Sequence, residues 1–327
     1  MRLEPKKIMC AIDFSDFTNI VLSYGKSMAS EFNSSLCLCH ILSGTLMVSS
    51  LGHSYINYTD IETDLIQSAK DRLEKIAKEL DIECEIIVSS GHVPDEINEI
   101  VLKNNIDMVI AATHGGSGIK RFLIGSVTDR LVKILQCPLL VLSAQKKHLT
   151  STVEKKIKLK KILVGCDFSP DSRLAFDYAL SLAQEFQTQL YLAHVLRPAE
   201  QIELPASDYI KIQGGEYTDW TSSEYLELKK KATNEDLKNK KTLFSHLERQ
   251  LTHMVPEDSR NWCTPITILL EGQPYKELID YAAQKEVDMI VLGVHGHSLL
   301  ERFIVGSTTD RVISRASCPV LVVRQTS

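Results

Sequence analysis

Short apolar runs alternate along the chain with longer stretches in which apolar residues recur at helical spacing. The runs read as strands buried on both faces, and the amphipathic stretches as the helices that cross between them. In the first half this predicts strands near 7–13, 35–42, 83–89, 107–112 and 138–143, with helices near 16–32, 59–80, 94–104 and 125–136. In the second half the strands fall near 160–167, 188–196, 265–271, 288–293 and 319–324, and the helices near 171–186, 222–254, 274–285 and 306–317. Five strands and four helices per half predict an α/β fold of two tandem doubly wound (Rossmann-like) domains, each a five-stranded, mainly parallel sheet with right-handed crossovers.

The halves are copies of one unit. Residues 112–131 and 293–312 share 10 identities in 20 positions, including His-Gly, Arg-Phe, Gly-Ser and Thr-Asp-Arg. Ile8-Met-Cys-Ala-Ile-Asp-Phe-Ser15 likewise matches Ile162-Leu-Val-Gly-Cys-Asp-Phe-Ser169, and each half closes with Cys-Pro and an apolar run. The offset between matching residues is 154 at Asp13 and Asp167 but 181 at Gly125 and Gly306, so the second copy is longer by 27 residues. Domain boundaries are expected at 1–146 and 160–327, with a polar, lysine-rich linker at 147–159 and the extra length in a helical insertion around 197–262. The Lys229–Lys231 run in that insertion reads as a solvated helix face, with a partner-binding surface as the alternative.

At 327 residues and 44% apolar content the chain is long enough for two such cores. A net charge of −5 offers no general attraction for nucleic acid, and no apolar run reaches the length of a membrane span. The expectation is a soluble protein without a signal peptide, contacting neither nucleic acid nor membrane. The eight cysteines include no Cys-x-x-Cys pair and read as reduced, buried thiols, Cys37 and Cys39 on one strand face among them.

In an open α/β sheet, ligands sit beyond the carboxyl ends of the strands where strand order reverses. The first strand of each half ends in Asp-Phe-Ser and the glycine loop follows the fourth, so both segments are expected at one crevice. An aspartate there suits ribose hydroxyls or adenine-edge donors, while a loop of small residues lets backbone N–H groups approach phosphate oxygens. Ser126 and Ser307, after Gly125 and Gly306, can cap a helix or bind a phosphate drawn to the helix start. Neither a P-loop nor a Gly-x-Gly-x-x-Gly fingerprint is present, so fast phosphoryl transfer lacks its usual lysine.

The spacing Gly293-x-x-Gly296, nine residues, Gly306-Ser307, together with Asp167 and the closing Cys-Pro-Val-Leu-Val-Val, resembles the universal stress protein family of tandem type. The resemblance implies that the aspartate and the end of the second strand hold adenosine, and that the glycine loop with its serine holds the phosphates of ATP or AMP, magnesium being the cation that could accompany them. It nominates Asp167, Val195, Gly293, His295, Gly296, Gly306, Ser307 and Thr308 in the second half. The matching first-half positions are Asp13, Ile41, Ala112, Gly115, Gly125 and Ser126.

Two departures weaken the first half as a nucleotide site. Ala112 stands at the first glycine position, and Gly91-His-Val-Pro94 replaces Gly272-Gln-Pro274, a turn read as one residue shorter in the second half. If position 112 needs positive φ or touches a ligand, the methyl costs on the order of 1 kcal/mol or blocks contact; in an ordinary strand it is harmless. Binding is therefore expected chiefly in the second half.

The matched pairs His40/His194 and His114/His295 read as packing and hydrogen-bonding residues, since no carboxylate or cysteine completes a metal set or catalytic triad at readable spacing. The Asp-Arg pairs at 129–130 and 310–311 are given structural roles in the first helical turn. The final apolar strands would be costly as open edges, so they are expected to pair and join the halves into an internal pseudo-dimer, with a homodimer as a wider assembly. The leading functional expectation is a cytoplasmic stress-response regulator whose adenine nucleotide governs contact with a protein partner. The alternatives are a slow ATPase or autophosphorylating enzyme using Ser307 or His295, and a nucleotide-free interaction module.

Overall fold

The computed structural model describes residues 4–43, 58–79, 81–113, 125–143, 157–197, 237–261, 263, 265–295 and 305–325. The first repeat runs β1 (Lys7–Ala11), α1 (Thr18–Phe32), β2 (Ser35–Ser43), α2 (Tyr58–Glu79), β3 (Glu85–Gly91), α3 (Val93–Lys103), β4 (Met108–Ala112), α4 (Ser126–Ile134) and β5 (Leu139–Leu142). The second runs β6 (Lys161–Gly165), α5 (Pro170–Phe186), β7 (Gln189–Leu196), α6 (Leu237–His253), β8 (Ile266–Glu271), α7 (Pro274–Lys285), β9 (Met289–Gly293), α8 (Ser307–Arg315) and β10 (Val320–Val323). The predicted five strands and four helices per repeat are all present. Residues 222–236 of the expected insertion helix, and most of the expected linker, lie outside the described residues.

The chain divides into two compact units, residues 1–159 with 313–327 and residues 160–312. In the first, parallel strands lie in the order β3-β2-β1-β4-β5, and β10 adds to β5 antiparallel, Val320 opposite Val141 and Val322 opposite Leu139. The two final apolar strands thus cover each other's hydrogen-bonding edges, as their composition requires. In the second unit the parallel order is β9-β6-β7-β8. No helix among the described residues is long and apolar enough to cross a membrane.

The central strands explain the continuous apolar runs. Ile8–Cys10, Met108–Ile110, Ile162–Val164 and Met289–Val291 are all exposed by 1% or less, because helices cover both faces of the parallel sheet. At the amino ends of these strands one carboxylate ties each central pair. Asp107 Oδ2 accepts from the N–H groups of Lys6 and Lys7 at 2.8 and 2.9 Å, and Asp288 Oδ2 from those of Lys160 and Lys161 at 2.7 and 2.9 Å. The first crossover helices also end alike: Asn33 and Gln187 take left-handed φ values of 53° and 50° and turn the chain into β2 and β7.

The turn after the third strand of each repeat corrects the sequence reading. Gly91 and Gly272 have φ of 149° and 145°, His92 and Gln273 are the N-caps, and the helices begin at Val93 and Pro274, so the turns are equal in length. Only the proline is displaced. Pro94 and Pro274 both lie in the first helical turn, where proline's missing N–H has no partner to lose. This departure therefore does not separate the two repeats.

Burial pushes the thiols of Cys37, Cys137 and Cys166 up to about 12 and raises those of Cys10 and Cys39 as well. Thiolate is the reactive form. A disulfide reagent at neutral pH should therefore label these five slowly in the native protein, and all eight cysteines rapidly in denaturant. Asp288→Ala frees two strand-end N–H groups and should lower stability by about 1–2 kcal/mol, read as a reduced urea midpoint.

Candidate functional site

The carboxyl ends of β1 and β6 are built alike. Beyond the paired register the N–H groups of Ile12 and Cys166 donate to Cys39 and Ala193 carbonyls at 2.8 Å, and the chain then turns through Asp13-Phe14-Ser15 and Asp167-Phe168-Ser169. Phe14 and Phe168 sit at left-handed φ values of 59° and 64°, an outlier for a bulky residue that costs on the order of 1 kcal/mol or more. A local hydrogen bond and a ring contact from the neighbouring strand hold it. Asp13 Oδ1 accepts from the Ser15 N–H at 3.0 Å and hydroxyl at 2.6 Å, and Asp167 Oδ1 accepts from the Ser169 N–H at 3.0 Å. The phenyl rings pack on His40 and His194, with centroids 4.4 and 4.9 Å apart.

Those histidines stitch the strands where they part. Their Nδ1 atoms lie 2.7 Å from the Ile12 carbonyl and 2.8 Å from the Cys166 carbonyl. A carbonyl only accepts, so Nδ1 carries the hydrogen in both rings. Burial lowers the pKa of His40, favouring its neutral form. In the first unit the Arg72 guanidinium also lies over the Phe14 ring, 4.0 Å from its centroid.

The ends of β4 and β9 form a second matched structure. Gly125 N–H donates to the Thr113 carbonyl and Gly306 N–H to the Val294 carbonyl, both at 2.8 Å, closing the neck of each glycine loop. Thr128 and Thr309 donate their hydroxyls to the Ala112 and Gly293 carbonyls at 2.8 and 2.7 Å, tying helix to strand. Asp129 pairs with Lys133 one turn along α4, 2.7 Å away. Glycine at the N-cap supplies no capping side chain, and Ser126 and Ser307 are the exposed first residues of their helices. The first-turn N–H groups there have no intrahelical acceptor, which suits an anion.

Adjacency of β1 with β4 and of β6 with β9 brings the two structures together. Cys10 is paired with Ile110 and Val164 with Val291, so Asp13 stands beside the β4 end and Asp167 beside the β9 end. Ile41 and Val195, opposite Ser89 and Leu270, lie at the same edge on the neighbouring strands. Asp167, Val195, Gly293, His295, Gly306, Ser307 and Thr308 thus share one sheet edge in the second unit. Asp13, Ile41, Ala112, Gly125 and Ser126 do so in the first. Gly115 and Gly296 lie outside the described residues.

Position 112 is ordinary strand: Ala112 pairs with Leu142 and is absent from the left-handed conformers. The glycine at 293 answers a different demand. A Cβ there would lie 2.6 Å from Asp171 Cβ and 2.7 Å from its carbonyl carbon, well inside contact distance. Helix α5 starts at Pro170, with Ser169 Oγ accepting the Ser172 N–H at 3.2 Å, and this start sets Asp171 against the strand. In the first repeat Phe17 occupies the matching position and α1 begins only at Thr18. Gly293 goes with Asp171, and Ala112 with Phe17.

Asp171 was not nominated from sequence. Its Oδ2 accepts from the His295 N–H at 3.0 Å and from Nδ1 at 2.9 Å. The paired change of Gly/Ala and Asp/Phe between repeats was the signal available for it. The left-handed phenylalanines had a local signal in Asp-x-Ser, whose aspartate accepts from the serine N–H, but their packing on His40 and His194 had none.

A family model described as the universal stress protein family matches residues 4–143 and 158–324. The chain belongs to the universal stress protein family. Universal stress protein MJ0531 of Methanocaldococcus jannaschii is 32% identical over 167 residues, 51% of this chain and 82% of the relative. Universal stress protein Mb2028c of Mycobacterium bovis is 26% identical over 259 residues, 77% of this chain and 74% of the relative. A universal stress protein structure from Archaeoglobus fulgidus shares the fold with a TM-score of 0.64 at 18% identity, covering 98% of this chain and 97% of that one.

In this universal stress protein, then, the first glycine of the second repeat is fixed by internal packing. Gly293→Ala should displace the start of α5 and cost the second unit about 1–3 kcal/mol in denaturant unfolding. Ala112→Gly should leave the first unit's packing intact and cost only about 0.5–1 kcal/mol, from chain entropy in a strand.

Proposed function

We propose that the chain is a cytoplasmic stress-response regulator that binds an adenine nucleotide, ATP or AMP, chiefly in its second unit, and that occupancy changes its contact with a protein partner. The observation that carries this reading is the meeting, at one sheet edge, of a carboxylate fixed in a strained turn with a glycine neck that opens onto a helix start. The Asp167 carboxylate would accept from ribose hydroxyls. The N–H groups and hydroxyls of Ser307 and Thr308 would donate to phosphate oxygens, with the helix dipole favouring the negative charge. Adenine would lie against the end of β7 at Val195. Magnesium, where present, would be held by the phosphates and water rather than by a protein cage.

The first unit offers the same backbone frame with Asp13, Ile41, Gly125 and Ser126, and Ala112 poses no conformational obstacle there. Among the described residues it differs in the cation Arg72 stacked on Phe14 and in the phenylalanine in place of Asp171. The second unit is the stronger candidate because its edge adds Asp171, whose carboxylate holds His295.

Thermal-shift and calorimetric titration with ATP and AMP test this directly. Saturation at a hundred times Kd should stabilise the protein by about 2.7 kcal/mol. Gly306→Val, which places a branched side chain at the neck, should abolish the second-unit contribution. Absence of any shift with millimolar nucleotide would refute the reading.

A further inference from the structure

The second unit contains an aspartate–histidine pair for which the first has phenylalanine at the aspartate position. We propose that Asp171 is a positioning residue of the second-unit nucleotide site, holding His295 so that its Nε2 meets a phosphate oxygen; this rests on the nucleotide reading above.

A single carboxylate oxygen, Asp171 Oδ2, takes two hydrogen bonds from one residue, the backbone N–H of His295 at 3.0 Å and ring Nδ1 at 2.9 Å. Because a carboxylate accepts, Nδ1 carries the hydrogen, and both the chain and the ring of His295 are fixed together. Nε2 is then the ring atom left for a ligand. Among the described residues it is buried and has no hydrogen-bond partner, an uncommon condition for a polar atom in a native fold. Side-chain exposures of 20% for His295 and 10% for Asp171 keep the pair largely out of bulk water.

Place in the chain supplies the ligand class. His295 follows Val294, whose carbonyl closes the loop neck onto Gly306 N–H, and Thr309 of the same helix start bonds the Gly293 carbonyl. The ring therefore stands at the neck of the loop nominated for phosphate. In its imidazolium form both nitrogens donate, Nδ1 to Asp171 and Nε2 to a phosphate oxygen, and the carboxylate offsets the ring's charge. Gly293 is part of the same device, since a side chain there would expel Asp171.

The test is a double-mutant cycle on the full chain, with ATP affinity measured by calorimetry for wild type, Asp171→Asn, His295→Gln and the double variant. Each single change should weaken ATP binding by about tenfold or a little more, the factor expected of one hydrogen bond to a charged group at the low end. The double variant should be no weaker than His295→Gln, because Asp171 acts through that ring. Additive losses, or wild-type affinity in Asp171→Asn, would overturn the proposal while leaving nucleotide binding intact. Nitrogen-15 spectra of the histidine rings give a measurement independent of the variants' folding. The His295 signals, assigned by their loss in His295→Gln, should show hydrogen on Nδ1 without ligand and a moving Nε2 resonance on ATP addition; an Nε2 resonance unmoved by saturating ATP would refute the contact. Failure of wild type to bind ATP at all would sink the nucleotide reading, and the inference with it.

Discussion

Both units depend on pairing two strands that are distant in sequence, β1 with β4 and β6 with β9. Closing such loops costs chain entropy, and nothing local compensates for it. The compensation comes from burial of the four central runs on both faces and from Asp107 and Asp288, whose carboxylates hold the amino ends of the strand pairs in register. With those ends tied, the carboxyl ends are the edge from which the turn and glycine loop of each unit emerge. The strained Asp-Phe-Ser turn and the loop neck are neighbours only because these strands are.

The repeat has kept its backbone devices while changing what they present. Aspartate turn, left-handed phenylalanine, strand-stitching histidine, glycine neck and threonine tie occur twice with distances matching to within a few tenths of an ångström or closer. The units diverge where the first helix begins. An earlier start in α5 drives Asp171 against β9 and demands glycine there, whereas the later start of α1 puts Phe17 at that position and permits Ala112. The methyl that distinguishes the two positions thus goes with the packing of the first helix in each repeat.

Much of this was legible in the chain. Continuous apolar runs identified the buried parallel strands, helical spacing identified the crossovers, and the two shared signatures identified the duplication. Asp13, Asp167, Gly125, Gly306 and the following serines could be nominated because their types match a chemical task at strand ends. The one-residue difference expected between the Gly91 and Gly272 turns vanished, because Pro94 and Pro274 occupy successive positions of one helical start, which spacing between glycine and proline misreads as loop length.

The sequence by itself determined the repeat, the order and type of its elements, and the residue chemistry at each strand end, since these follow from local periodicity and side-chain type. Only the tertiary structure decided that Asp171 reaches His295, that Gly293 leaves room for it, and that Phe14 and Phe168 pack on His40 and His194. Each of those depends on atoms from segments far apart in the chain meeting within a few ångströms, a distance that no pattern of neighbouring residues encodes.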